Sequence, residues 1–224
     1  MIHTSNLVKV HENGYISTPA LRNVNLDIDE GEFVAVTGAS GSGKTSLFNI
    51  LGLIDSPTSG ELFFMKQNVG NASGKQRVRL RRNNIGFVFQ HFNLIDELTV
   101  FENIELPLIY TPNSHKERKK RINEMLEHFK ISHKKRNYPY QLSNLQQQTV
   151  AIARAIVSEP KMILADEPTG NLDSADSSTV MDLLTMVNEM GTAVVMMTHS
   201  THEAQRAQRI IGIHDGHIVK EIRN

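Results

Sequence analysis

The sequence predicts an α/β fold in which a mostly parallel sheet forms the core and antiparallel strands come first. Two hydrophobic patterns lead to this prediction. Residues 5–10 and 20–28 alternate apolar and polar side chains, as half-buried strands of an antiparallel sheet do. Later in the chain, short continuous apolar runs alternate with helical segments, which is typical of parallel strands buried on both faces. These runs are residues 33–37, 85–89, 161–165 and 192–197.

The first apolar run leads into a glycine-rich turn, and the turn opens a helix. Residues 38–45 (Gly-Ala-Ser-Gly-Ser-Gly-Lys-Thr) fit the pattern G-x-x-x-x-G-K-[ST] in full, in the strand–turn–helix context that it requires. Glycines let successive backbone N–H groups point at phosphate oxygens, and the helix adds free N–H groups and the positive end of its dipole. We expect Lys44 to place its charge on the terminal phosphates of a nucleotide and the Thr45 hydroxyl to ligate Mg²⁺. The predicted phosphate-binding residues are Gly38, Ala39, Ser40, Gly41, Ser42, Gly43, Lys44, Thr45 and Ser46.

The segments around this phosphate loop are assigned from their turn residues. A turn at residues 29–32 precedes the loop strand, and a loop at residues 55–60 leads to a short strand at residues 61–65. Residues 66–84 are polar and basic. A nucleic-acid patch is conceivable there, but aromatic side chains are few, so a solvated helix face is favoured.

A helical insert is predicted between residues 90 and 161. Two prolines, Pro107 and Pro112, bracket a loop, and helices follow over residues 115–130 and 143–158. The periodicity of the first helix predicts one apolar face. That face consists of Ile122, Met125, Leu126 and Phe129.

The C-terminal part returns to the alternation of helix and strand. A helix over about residues 175–190 ends at Gly191, where glycine is favoured just after a helix. A short helix and a hairpin-like tail at residues 211–219 complete the chain.

Composition restricts the class of protein. The chain has 224 residues, enough for one large domain or a domain with a lobe, and 39% hydrophobic residues support a sizeable core. Twenty-four basic residues balance 24 acidic ones, which argues against broad, salt-driven nucleic-acid binding. The absence of cysteine excludes disulfides and thiolate metal sites. We see no signal peptide and no stretch approaching the roughly 18 apolar residues of a membrane span, so any membrane role must come through a partner.

Polar side chains follow four strands at the ends where ligands bind in such sheets. Asp166 comes directly after a buried strand and can hold Mg²⁺ opposite Thr45. Glu167 is placed to orient or deprotonate a water that attacks the γ-phosphate. His199 fits a γ-phosphate sensor, although a lone histidine at a strand end is usually a satisfied polar residue. Gln90 is a weak signal by itself, but its carbonyl oxygen can take a Mg²⁺ position.

The order of these motifs resembles an ATP-binding subunit of the ABC transporter family over essentially the full chain. Residues 87–94 and 102–108 resemble the branch of that family concerned with lipoprotein release and macrolide efflux. The motifs that carry the resemblance are, in order, the phosphate loop, Gln90, residues 142–146 (Leu-Ser-Asn-Leu-Gln), residues 164–173 (Leu-Ala-Asp-Glu-Pro-Thr-Gly-Asn-Leu-Asp) and His199.

The resemblance implies a single ABC ATP-binding domain over residues 1–224 with two lobes. Residues 1–90 and 160–224 would form a P-loop NTPase (RecA-like) core with an antiparallel β subdomain, and residues 91–159 a helical lobe. It also implies a head-to-tail dimer with two ATP molecules at the interface, in which the turn ending at Asp173 crosses to the partner's site. An integral-membrane permease would dock on the helical lobe, which places the chain at the cytoplasmic face of the inner membrane as a peripheral protein.

The signature of the helical lobe departs from the family pattern Leu-Ser-Gly-Gly-Gln, because both glycines are replaced, by Asn144 and Leu145. By resemblance, Ser143 offers its hydroxyl and a helix N-terminus to the γ-phosphate held by the other subunit. Ser143 and Gln146 still form a capping box, so a plain capping role for the serine stays open. We expect the Leu145 side chain to crowd the phosphate. Losing one transition-state donor in other enzymes costs roughly 10²–10³-fold in rate, so ATP binding is expected to be intact while hydrolysis is in question.

A second departure affects the predicted adenine platform. The family usually has an aromatic residue, most often tyrosine, just after the first strand, and here that position is His11. An imidazole can stack on adenine, and Tyr15 is the alternative if its loop folds back.

These observations leave two functions open. The first is the ATPase subunit of an ABC exporter, in which ATP binding closes a homodimer or heterodimer and hydrolysis resets it. The second is an ATP-binding regulatory subunit with slow or no turnover, suggested by the altered signature. A soluble ABC protein acting on DNA or ribosomes is disfavoured by the neutral charge and the single cassette.

Overall fold

The fold comes from a computed structural model that describes residues 1–14 and 16–224. Its strands are β1 (Ile2–Asn13), β2 (Ile16–Ile28), β3 (Phe33–Thr37), β4 (Ser59–Phe64), β5 (Gln67–Asn68), β6 (Ile85–Phe89), β7 (Met162–Asp166), β8 (Ala193–Thr198), β9 (Arg209–His214) and β10 (His217–Arg223). Its α-helices are α1 (Lys44–Leu51), α2 (Gly74–Asn84), α3 (Val100–Glu105), α4 (His115–His128), α5 (Asn144–Ile156), α6 (Ser174–Glu189) and α7 (Thr201–Ala204). Short 3₁₀ helices cover Leu106–Tyr110, Ser132–Lys134 and Pro139–Gln141.

The core is a six-stranded sheet in the order β10-β9-β3-β8-β7-β6. The five strands from β9 to β6 are parallel, and β10 joins the edge as the antiparallel partner of β9. All six residues of β8 are buried, as continuous apolar strands covered on both faces must be. The mostly parallel sheet predicted from the sequence is therefore confirmed, and its carboxyl ends meet at one edge.

The predicted antiparallel strands form a separate four-stranded sheet in the order β2-β1-β4-β5. Along β2 the buried side chains alternate with exposed ones, at Leu21, Val24, Leu26 and Ile28. Both β1 and β2 extend beyond residues 5–10 and 20–28 because the ladder continues through exposed polar residues that give no hydrophobic signal.

The segment between β6 and β7 is helical, as predicted, but the loop bracketed by Pro107 and Pro112 is not a loop throughout. Helix α3 begins with a capping box between Thr99 and Glu102, and the 3₁₀ helix Leu106–Tyr110 continues it. Pro107 fits there because the first positions of a helix have no partner for a backbone N–H. The side chain of Leu108 is fully buried and anchors the segment.

Helix α5 is the most buried helix of this segment. It is buried nearly all round, and Gln148, Val150 and Ile152 have no exposed surface. Near its C-terminal end, the Arg154 guanidinium donates to the backbone carbonyls of Phe92 (2.8 Å) and Asn93 (2.6 Å), and burial lowers the pKa of Arg154. The helix is therefore attached to the segment that follows Gln90.

Among the described residues, none of the helices combines the length and the apolar character that a membrane crossing requires. The basic segment also behaves as a surface element, since helix α2 has no buried residue and begins at Gly74 behind the capping residue Ser73.

Candidate functional site

The phosphate loop joins β3 to α1 and depends on a left-handed glycine. Gly43 caps α1 with φ 109°, and a Cβ there would lie 2.5 Å from the backbone oxygen of Ala20. No other residue type fits that position without strain. In contrast to α2, α3, α4 and α5, helix α1 has no side-chain cap, so the N–H groups of its first turn face the loop without a side-chain acceptor. This arrangement fits an anion such as a nucleotide phosphate.

The loop forms one wall of an open cleft of about 660 Å³. That size is within the range of pockets that bind small molecules, roughly 300–1,000 Å³. The cleft brings together most of the predicted site residues, from four strand ends. Its lining is Ala20, Ser40, Gly41, Gly43, Lys44, Thr45, Ser46, Gln90, Asp166, Glu167 and His199. Ala20 was not predicted; it reaches the cleft because β2 passes beside the loop, and no motif signals that position.

The ammonium group of Lys44 lies over the loop. It donates to the backbone oxygens of Gly38 (2.6 Å) and Ala39 (2.9 Å). The hydroxyl of Ser42 is buried without a hydrogen-bond partner among the described residues. The loop therefore presents one fixed cation and a set of amide donors to the cleft.

Asp166 ends β7 and faces the cleft as a partly buried carboxylate. Burial raises its pKa, the neighbouring charge of Glu167 raises it further, and Lys44 lowers it. A carboxylate that is costly to ionise is stabilised by a cation, so the position suits Mg²⁺ together with the oxygens of Thr45 and Gln90. Within the described residues there is no cluster of three or more His, Cys, Asp or Glu side chains that could hold a metal alone. Mg²⁺ in nucleotide sites is commonly held by one or two carboxylates together with phosphate oxygens.

Glu167 and His199 form a hydrogen-bonded pair between the ends of β7 and β8. The ring Nδ1 of His199 lies 2.8 Å from a carboxylate oxygen of Glu167, and the side chain of Glu167 is 18% exposed against 72% for the histidine. An ionised carboxylate only accepts hydrogen bonds, so Nδ1 carries the proton and Nε2 is left for another partner. Glu167 itself has φ 46°, and its N–H donates to the carbonyl of Met197 (2.9 Å). Strained backbone of this kind is held only where the surroundings over-determine it.

Six predicted residues do not line the cleft: Gly38, Ala39 and Ser42 of the phosphate loop itself, and His11, Ser143 and Asp173 outside it. His11 is next to the cleft, with Nε2 3.0 Å from the hydroxyl of Ser46, while Tyr15 lies outside the described residues. Ser143 caps α5 through the predicted capping box with Gln146. Asp173 caps α6 and accepts from the N–H groups of residues 175 and 176.

The substituted signature residues point in different directions. The Leu145 side chain is half-buried and packs against the larger apolar cluster of the core. Asn144 is exposed, and its side-chain amide donates to the backbone oxygen of Asn171 (3.2 Å). Thr149, one turn further along α5, is buried and its hydroxyl donates to the carbonyl of Leu145.

Comparisons with known proteins show the family and the fold of the chain. The family model described as "ABC transporter" matches residues 21–170. An uncharacterized ABC transporter ATP-binding protein of Methanocaldococcus jannaschii, MJ1508, is 45% identical over 222 residues, which are 99% of each chain. The macrolide export ATP-binding/permease protein MacB of Brucella melitensis is 42% identical over 99% of this chain, which spans 34% of MacB. The dimeric post-hydrolysis structure of the cassette MJ0796 with ADP and Pi, also from M. jannaschii, superposes with a TM-score of 0.90 at 43% identity and covers 100% of this chain and 98% of that one.

Fold, site and relatives thus lead to the same assignment. The chain belongs to the ABC transporter family, as an ATP-binding cassette with a P-loop NTPase fold.

Proposed function

We propose that this chain hydrolyses ATP to power a membrane exporter. The observation that carries the proposal is the convergence of the phosphate loop, Asp166 and the Glu167–His199 pair in one cleft. A subunit that only bound nucleotide would need the loop but not a glutamate paired with a histidine in the same cleft. The family relation to a protein named for macrolide export supports transport out of the cell.

Each side chain of the cleft has a distinct role in this proposal. Lys44 and the amides of the loop bind and orient the phosphates. Thr45, Gln90 and Asp166 would hold Mg²⁺, which supplies charge neutralisation on the phosphates when it is bound. Glu167 orients the water and takes its proton, and His199 donates to that carboxylate through Nδ1; in the doubly protonated ring Nε2 would also donate to the γ-phosphate. Such chemistry depends on positioning and electrostatics rather than on a covalent intermediate.

The proposal includes partners. We infer a dimer of cassettes, as in the MJ0796 structure, in which Ser143 and Asp173 of one chain complete the site of the other and His11 supports adenine. Ser143 and Asp173 are exposed helix caps, which is compatible with contact to a second chain. A permease would bind the helical lobe of residues 91–159 and hold the chain peripherally at the cytoplasmic membrane face. No nucleic-acid partner is proposed.

The altered signature favours a second candidate, a regulatory subunit that binds ATP and turns it over slowly. The packing of Leu145 bears on this choice. Because its side chain is half-buried against the apolar cluster of the core, it does not need to occupy the space of a phosphate at the start of α5. The packing of Leu145 therefore supports the hydrolytic candidate. Asn144 is the substituted signature residue that still changes the exposed surface at the start of α5.

ATP turnover by the purified chain, alone and with the permease that copurifies with it, separates the two candidates. Glu167→Gln is the reference, since it keeps the shape of the side chain and removes the base. Loss of a general base costs roughly 10²–10⁴-fold, so wild type should exceed the variant by that factor. Equal rates in both settings would contradict the enzymatic proposal, provided that both proteins bind Mg-ATP.

A further inference from the structure

Asn171 connects three segments that each contribute to the site. Its side-chain amide donates to the backbone oxygen of Gln90 (2.9 Å) and contacts His91 Nδ1 (3.0 Å), and its side-chain oxygen accepts from Gln90 Nε2 (3.2 Å). Its backbone oxygen accepts from Asn144 at the start of α5. Asn171, in the turn between β7 and α6, therefore holds Gln90, the residue that follows the neighbouring strand β6.

The backbone of Gly170 lies close to the side chain of Gln90. A Cβ added at Gly170 would lie 2.8 Å from Gln90 Nε2 and 3.0 Å from its Cδ. The side chain of Gln90 thus lies directly against the backbone of this turn, and only glycine allows that approach.

The frame around this contact is also fixed. The buried amide of Gln148 donates to the backbone oxygens of Phe89 (3.3 Å) and Pro168 (2.5 Å), the first just before Gln90 and the second two residues before Gly170. Phe89 and Asp166 are paired across β6 and β7. Gln148 and the pairing of β6 with β7 therefore link the segment that carries Gln90 to the turn that carries Gly170 and Asn171.

The hydrogen bonds decide which end of the Gln90 amide is free. Nε2 is committed to Asn171, so the carbonyl oxygen is the end left for the cleft that Gln90 shares with Thr45 and Asp166. A cation binds the oxygen of an amide and is repelled by its NH₂ group. We propose that Asn171 is a positioning residue, which together with Gly170 holds the Gln90 amide with its oxygen toward the Mg²⁺ position.

This inference rests on the proposed Mg-ATP site, and its test separates the two. A fluorescent ATP analogue is titrated into the purified chain with Mg²⁺ and with EDTA, and Mg²⁺ is titrated at fixed nucleotide. For Asn171→Ala we expect unchanged affinity in EDTA, and a loss of about three- to tenfold in the enhancement by Mg²⁺, the equivalent of one or two hydrogen bonds. The half-saturating Mg²⁺ concentration should rise by the same factor.

Two further variants address indirect effects. Gly170→Ala keeps the Asn171 side chain but displaces the end of Gln90, so it should give the same Mg²⁺-specific loss. In a Gln90→Ala background, Asn171→Ala should cause no additional loss, because its effect passes through the glutamine. Circular dichroism and thermal unfolding of each variant establish that it is folded.

The outcomes are distinct. If Asn171→Ala weakens binding equally with and without Mg²⁺, or adds in full to Gln90→Ala, the positioning role is refuted. An unchanged Mg²⁺ dependence in Asn171→Ala refutes it as well, while the site itself stands. If wild type shows no saturable binding of the analogue, the proposed function fails first.

Discussion

Replacing Asp166 by asparagine should stabilise the nucleotide-free chain while removing its response to Mg²⁺. The carboxylate is partly buried beside Glu167, and both burial and that neighbouring charge raise its pKa, which means that ionisation opposes folding. Asparagine keeps the shape and removes the charge. Relief of a single unfavourable feature typically gives about 0.5–2 kcal/mol. At about 2–4 °C per kcal/mol for a chain of this size, the midpoint of thermal unfolding should rise by roughly 1–8 °C.

The assay is thermal unfolding in EDTA, in ATP with EDTA, and in Mg-ATP. Wild type should gain stability from Mg²⁺ beyond the effect of ATP alone, since a ligand that binds the folded state stabilises it. In EDTA, Asp166→Asn should unfold at a higher temperature than wild type. In Mg-ATP it should lack the additional stabilisation that Mg²⁺ gives to wild type. Asp96→Asn is the matched control, because it makes the same chemical change at an exposed aspartate outside the cleft. A variant that unfolds below wild type in EDTA would refute the reasoning about the cost of this charge.

The same residue sets the expected pH dependence. Its folded-state pKa lies above the ordinary value of 3.8, so below that value both states are protonated and no penalty exists. The penalty accumulates as pH rises from the ordinary value to the raised one, and it is complete above both. Binding of Mg²⁺ needs the ionised form, so the gain from Mg²⁺ should disappear on acidification at a higher pH than an ordinary aspartate would give. Asp166→Asn should lack this transition.

Further predictions concern backbone, packing and signature. Gly43→Ala should weaken binding of the ATP analogue more than tenfold, because the added Cβ would meet backbone atoms. Gly191 has a similar φ of 94°, but an added Cβ there meets nothing within 4 Å. Gly191→Ala should therefore lower stability and leave binding unchanged in the same titration. Arg209→Met should lower the free energy of unfolding by about 3–5 kcal/mol in urea titrations, because two carboxylates lose a buried partner. Arg206→Met, at an exposed pair, should lower the same free energy by about 1 kcal/mol or less. Leu145→Gly should lower the free energy of unfolding without raising ATP turnover; a marked increase in turnover would show that the leucine obstructs the site.

The predictable parts of the site are those whose signal lies within one short, continuous stretch of the sequence. The phosphate loop is one motif, and Asp166 and His199 each follow a run of apolar residues whose burial is clear from composition. The sheet could be predicted for the same reason. Asp166 and His199 each lie at a strand end of a parallel sheet, and the local apolar run alone indicates that position. Predicting it requires no knowledge of contacts between distant residues.

What could not be predicted are contacts between residues far apart in the chain. Asn171 reaches Gln90 across 81 positions, and the direction of the Leu145 side chain depends on how α5 lies against the core. The 3₁₀ helix Leu106–Tyr110 was also missed, because short helices have little periodicity and proline reads as a loop signal. In each case tertiary packing decided between locally acceptable conformations.

The attachment of Arg154 to the carbonyls of Phe92 and Asn93 has a mechanical consequence. Helix α5 has 13 residues and is about 20 Å long, and a helix packed on its inner face bends little over that length. Its far end carries Ser143. A displacement of residues 92–93 that α5 follows as one rigid body would therefore also displace Ser143 at the opposite end of the helix.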